Sequence, residues 1–357
     1  MIEVHIFNIM LLPSLKNTFW FVNLNFINGL VAPAFLFISG FAFILSTQNK
    51  TDELRKFGHS FRKKLGRIIL IFLAGYSLHL PILSLRRIID FYSPGVIERI
   101  YNVDILQCIA AGLLILFVAR IIIKSDYAFN IFTIILLIIS VLLAPIVHQF
   151  NFGKYLPLPF AAYFNSMYGS LFPLFPWVGF LFAGTIASKY FLEAHKNYTS
   201  KKYIKSIFSI GTIAAVLGYL FSLDSVSTFI KFPQTNPVFF LQRLGYVLIL
   251  LSLCWYYIEK RKTKSSFVLD VSKESLLVYW LHIEILYRAF WNNKSIADIL
   301  GGKYHPLACI AATIILALIM ILTAKKWGAL KHNYKPYVPK FTFVFVTLLV
   351  TIFLIGF

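Results

Sequence analysis

Hydrophobic residues run along the chain in blocks of about 20, the length one helix needs to cross a bilayer, with Lys, Arg, Asn and Pro collected between them. The blocks predict helices near 26–46, 67–85, 103–123, 128–148, 170–190, 204–224, 238–258, 273–291, 306–324 and 341–357. That is an all-α, polytopic membrane helix bundle with ten full crossings. A shorter apolar stub, Met1 to Leu12, ends at Pro13 at about half the spanning length. It reads as a surface or re-entrant piece or, the alternative favoured here, as the outer half of a truncated first helix. The whole of 1–357 is expected to be a single transmembrane domain. There is no fixed-period repeat, and no charged n-region followed by a cleavage site marks a signal peptide.

Composition sharpens this reading. At 59% hydrophobic and 13% charged, the chain is neither a disordered segment nor an ordinary soluble fold. The net charge of +20 raises nucleic acid as a partner, but the basic residues lie between apolar blocks rather than on one continuous polar face, which argues against it. The segments 47–67, 120–126, 189–205, 259–273 and 325–340 carry 7, 2, 5, 5 and 5 Lys and Arg, 24 of the 34. They alternate with poorer loops without a break in parity, so the basic loops are expected on the cytoplasmic side. The first of them contains Arg62, Lys63, Lys64 and Arg67. Beyond topology, such a cluster suits the phosphates of a cytosolic cofactor. Cys108, Cys254 and Cys309 are scattered singly and read as packing residues.

Ionisable residues inside apolar blocks are costly unless they face a partner or a polar cavity, so they mark candidate chemistry. They are His5 in the stub, His79, Asp104 with Gln107, Gln242 with Arg243, and His282, Glu284 and Arg288. With the sidedness above, all fall in the outer half of the membrane, which predicts a polar chamber open to the outside. Asp104 and Gln107, three apart, share a helical face, and Glu284 and Arg288, four apart, can form an ion pair, expected to tie helices together. His282 points about 200° away from Glu284 at ~100° per residue. It either lines the chamber or packs as a neutral imidazole bonded to a backbone carbonyl. No metal-ligand spacing, phosphate-binding glycine loop or serine nucleophile elbow occurs, so no metal is expected. What remains is histidine, with Asp104 as a possible orienter. A neutral imidazole can activate a hydroxyl or amine for attack on an acyl thioester.

Three motifs bring in a family. Ile2-Glu3-Val4-His5-Ile6-Phe7-Asn8, followed by Asn28-Gly29-Leu30 and Ala32-Pro33-Ala34-Phe35-Leu36-Phe37-Ile38-Ser39-Gly40-Phe41, resembles the first two helices of bacterial transmembrane acyltransferases. Asn102 to Ile109 resembles that family's leucine-glutamine helix start, and Ser275 to His282 its late serine-tyrosine-histidine helix. The likeness is closest to the heparan-α-glucosaminide N-acetyltransferase-like group, more distant to the O-antigen-type acyltransferases, and covers about a third of the chain.

The resemblance implies an acyltransferase of the plasma (inner) membrane that passes an acyl group, usually acetyl from acetyl-CoA, to a sugar or glycan across the bilayer. It implies that His5 is the catalytic base. Arg62, Lys63, Lys64 and Arg67 would then dock the acyl-CoA phosphates. Asn28, Asp104, Gln107, His282 and Arg243 would position the acceptor or orient the imidazole. The competing class is a transporter or flippase, which would use the same outer chamber without chemistry.

Overall fold

The computed structural model describes residues 1–48, 50–82, 84–91, 93–223, 233–261, 266–289 and 294–355. The protein is 81% helical, and among the described residues there is no strand. Six helices are long and apolar enough to cross a membrane: Phe19–Thr47, Ile105–Ile122, Ser200–Phe221, Pro237–Lys260, Pro306–Asn333 and Val338–Ile355. The chain is thus a multi-pass membrane protein, and these six coincide with six of the ten predicted crossings.

The other four predicted crossings differ for identifiable reasons. The helix expected at 67–85 is His59–Ser77. It begins earlier because Arg62, Lys63, Lys64 and Arg67, expected in a loop, form its first half, where long basic stems can lie along a helix with their charges outward. The block at 128–148 is divided into Asp126–Leu142 and Ala144–Val147, with Pro145 in the first turn of the second helix. In place of 170–190 stands Leu174–Lys196, whose Phe175 is non-helical (φ −95°, ψ 120°), as expected of the residue before Pro176. The block at 273–291 becomes Phe267–Lys273 and Ser275–Tyr287. The span at Phe19–Thr47 is itself two helices, Phe19–Asn28 and Val31–Thr47, on either side of Gly29 and Leu30.

The described residues form two compact units. The first comprises Met1–Asn28, Ser77–Ile100 and Thr263–Phe357. Its core joins Ile6, Phe7, Ile9 and Met10 of the Ile2–Met10 helix to Phe21, Val278, Leu286, Cys309, Leu316 and Met320. At the end of that short helix Lys16 Nζ donates to Asn8 O (2.7 Å), Gly302 N–H to Ile9 O (2.8 Å) and Tyr304 N–H to Met10 O (2.9 Å), while Leu12 N–H donates to Tyr304 O (3.0 Å). Terminal carbonyls left open by the helix are satisfied by Lys16 and a distant backbone segment. Gly302, at φ +66°, makes the turn that presents these groups.

The second unit comprises Gly29–Tyr76 and Tyr101–Lys262. Its core includes Phe37, Ala183, Ala187, Ile207, Val247 and Leu248. The Val31–Thr47 and Leu174–Lys196 helices cross with backbones in contact: a Cβ at Gly40 would lie 1.9 Å from Leu181 O, and one at Gly184 would lie 1.9 Å from Phe37 O. Small residues at such crossings let helices associate in lipid, where the hydrophobic effect does not drive them together. At the end of Ile105–Ile122, Arg55 donates to the carbonyls of Arg120, Ile121 and Ile123 (2.8–3.2 Å). That basic residue therefore closes a helix C-terminus, as a cation is suited to do.

Candidate active site

In the first unit the Ile2–Met10 and Ser275–Tyr287 helices bring two histidines together. His5 and His282 have ring centroids 5.4 Å apart with planes tilted by 56°. His5 Nδ1 is 3.1 Å from the Tyr287 hydroxyl, and the two rings meet edge to face. His282 is fully buried, and its Nδ1 lies 2.6 Å from Val278 O. A carbonyl only accepts, so Nδ1 carries the hydrogen and, in the neutral imidazole, the lone pair sits on Nε2. That Nε2 is buried and has no hydrogen-bond partner. Tyr279 packs edge-on to the same imidazole at 5.5 Å.

The remaining polar groups of this unit fall into two sets. Asn28, at the end of the Phe19–Asn28 helix, interacts with Glu3, yet Asn28 Nδ2 and Glu3 Oε1 are both buried without a hydrogen-bond partner. The expected Glu284–Arg288 pair forms within one helix end, with Nε to Oε2 at 2.5 Å and Nη2 to Oε1 at 2.6 Å. The tie to another segment comes from the same guanidinium, which donates to Leu80 O (2.5 Å) and Ser77 O (3.0 Å). Glu284 thus has a structural partner, and His282 faces a different one.

In the second unit Asp104 is the N-cap of Ile105–Ile122: its carboxylate accepts from Ile105 N–H at 2.7 Å, and Gln107 Oε1 accepts from Asp104 N–H at 3.3 Å. The shared face expected for this pair is a capping box. Gln107 is fully buried against Gly75, and its Nε2 lacks a hydrogen-bond partner. Arg243 lies 5.1 Å over the Phe239 ring and against Gly29, where an added Cβ would stand 2.8 Å from Nη1.

Arg62, Lys63 and Arg67 are exposed on the His59–Ser77 helix, and half-buried Lys64 donates to the Ser46 hydroxyl. Burial, reinforced by the neighbouring charges of Arg67, Lys50 and Lys63, lowers Lys64 to about 8. Mutually repelling cations held this closely are suited to an anion. Among the described residues no group of three or more His, Cys, Asp or Glu could hold a metal ion.

Two groups escaped the sequence reading. Tyr287 is 282 positions from His5, and no local pattern links them. Glu3 could have been found by the criterion that selected His5, an ionisable residue inside an apolar run. Lys50, one of the seven cations counted in 47–67, is brought beside Lys64 by the fold.

A family model described as heparan-alpha-glucosaminide N-acetyltransferase, catalytic, matches residues 1–222. No curated protein and no solved structure matches the chain.

Proposed function

The chain belongs to the heparan-alpha-glucosaminide N-acetyltransferase catalytic family, and from this we propose that it transfers an acetyl group from acetyl-CoA to an amine or hydroxyl of a sugar or glycan. The observation that carries the reading is the early histidine, His5, held against His282 and the Tyr287 hydroxyl in a chain otherwise poor in charge. His5 acts as the general base. It takes the acceptor's proton as the acceptor atom bonds to the thioester carbonyl carbon; the C–S bond breaks, and the proton passes to the departing CoA thiolate. Asn28, on the same unit as His5, is available to the acceptor. The donor's phosphates dock on Arg62, Lys63, Lys64 and Arg67 of the second unit; that these four cations lie on one helix supports the assignment. In this reading the basic segments face the cytoplasm of a bacterial inner membrane and the acceptor arrives from the other side.

The test uses the full chain in lipid nanodiscs with acetyl-CoA labelled in the acetyl group and a panel of amino sugars and glycans. Labelled product from wild type, reduced at least ~100-fold in His5→Ala, is expected of a lost general base. No product with any acceptor, with vesicles instead accumulating an acceptor unchanged, would replace this reading by that of a carrier. Product formed equally well by His5→Ala would leave the enzyme and remove its base.

A further inference from the structure

His282 has one nitrogen committed and one in reserve. Its Nδ1–H is taken by Val278 O at 2.6 Å, which fixes the ring and leaves the Nε2 lone pair buried and unpaired. Buried polar atoms are rarely left so, and those that are call for a reason. The neighbouring ring is His5, at a centroid separation of 5.4 Å. Two imidazoles joined by one N–H···N bond stand at about this distance, since each ring contributes ~1.1 Å and the bond ~2.9 Å.

Neutral His5 has a single ring N–H to share with its surroundings, and one of its nitrogens already faces Tyr287. Imidazolium has two. We infer that His282 is a positioning residue for the His5 base, its Nε2 lone pair held open to accept a hydrogen bond from His5 when that ring takes up the acceptor's proton. The inference rests on the acyl-transfer reading above and adds no bond to it: the acceptor's proton moves to His5, His5 imidazolium donates a hydrogen bond to His282, and the proton leaves on the CoA thiolate. A hydrogen bond donated by the charged ring is stronger than one donated by neutral imidazole, so it lowers the barrier more than it tightens the binding of either substrate.

His282→Asn tests this, because its side-chain amide can keep the donor to Val278 O while removing Nε2. Expected is a fall in kcat of about 10- to 100-fold, ~1.4–2.7 kcal/mol, with KM for acetyl-CoA and acceptor within about twofold of wild type. A kcat within about threefold of wild type overturns the inference, as does a loss seen only in KM. If His282→Asn does not yield monodisperse protein, His282→Gln is used. It returns an amide near the position of Nε2 and is expected to recover part of kcat relative to His282→Leu; equal rates for the two overturn the inference. The two readings fail differently: inactive wild type sinks the enzyme, whereas active wild type with inactive His5→Ala and unimpaired His282→Asn sinks this inference alone.

Discussion

The crossing of Val31–Thr47 with Leu174–Lys196 allows a stability prediction with its own internal control. A methyl group at Gly40 would meet Leu181 O at 1.9 Å, where real Cβ atoms essentially never come within 3.0 Å, and the obstructing atom is backbone. No rotamer change relieves it, so the helices must part by about 1 Å along a seam that contains fully buried Phe37 and Leu181. Overpacking of a tight interior costs roughly 1–3 kcal/mol, and a backbone obstruction puts Gly40→Ala at the upper end. Alanine's better helix propensity returns ~1 kcal/mol, leaving a net loss of ~2 kcal/mol. Gly66, on His59–Ser77, has nothing within 4 Å of an added Cβ. Gly66→Ala should therefore gain up to ~1 kcal/mol, separating the two variants by ~3 kcal/mol. Unfolding by sodium dodecyl sulfate in mixed micelles, followed by circular dichroism, measures both. The Gly40→Ala/Gly184→Ala double variant should lose less than the sum of the singles, since the first methyl already opens the seam for the second. Gly40→Ala as stable as wild type, or Gly66→Ala equally destabilised, would refute the reasoning.

Two further predictions concern other residues. Asp104→Asn should retain both stability and turnover, because asparagine caps as well as aspartate, whereas Asp104→Ala should lose ~1 kcal/mol of stability in the same unfolding assay. A tenfold loss of turnover in a fully stable Asp104→Asn would instead show that the charge orients the chemistry. For Lys64, lowered to about 8 chiefly by burial, CoA affinity by titration calorimetry should weaken as pH rises through that value. In Lys64→Arg it should stay level, since arginine keeps its charge; a wild-type affinity flat between about pH 7 and about pH 9 refutes the assignment. The sign for folding is the same as for a carboxylate whose pKa is depressed, and the reverse of that for a lysine raised by a partner. Between about 8 and the unfolded value of ~10.4 the unfolded chain binds more protons, so this group's contribution to stability rises with pH across that window.

The class of fold was legible because lipid leaves hydrophobic length as the dominant constraint, and six of the predicted blocks are continuous spans or helix pairs. Local spacing was legible too. Asp104 and Gln107 meet, and Glu284 and Arg288 pair, because residues three or four apart on a helix must be neighbours. Averaged hydropathy misplaced the His59–Ser77 helix, since it treats a lysine as a loop signal even where the side chain lies along a helix. The inter-segment tie expected of the Glu284 carboxylate is made instead by carbonyls at Ser77 and Leu80, and a carbonyl has no signature in sequence. The His5–His282–Tyr287 grouping was half legible. Both histidines stood out as ionisable residues in apolar runs, but their adjacency depends on two helices at opposite ends of the chain.

The backbone seat of the Ile2–Met10 helix bears on biosynthesis. The Tyr287 hydroxyl and the His282 ring beside His5, and the amides of Gly302 and Tyr304 at the helix end, are translated after residue 222, where the family match stops, whereas Phe21, packed against the same helix, is translated before it. A ribosome would thus release residues 1–222 into the membrane before His5 can meet Tyr287 and His282. Fusions or domain swaps that graft residues 1–222 onto a foreign tail would inherit the family's signature without the Tyr287 and His282 contacts of His5.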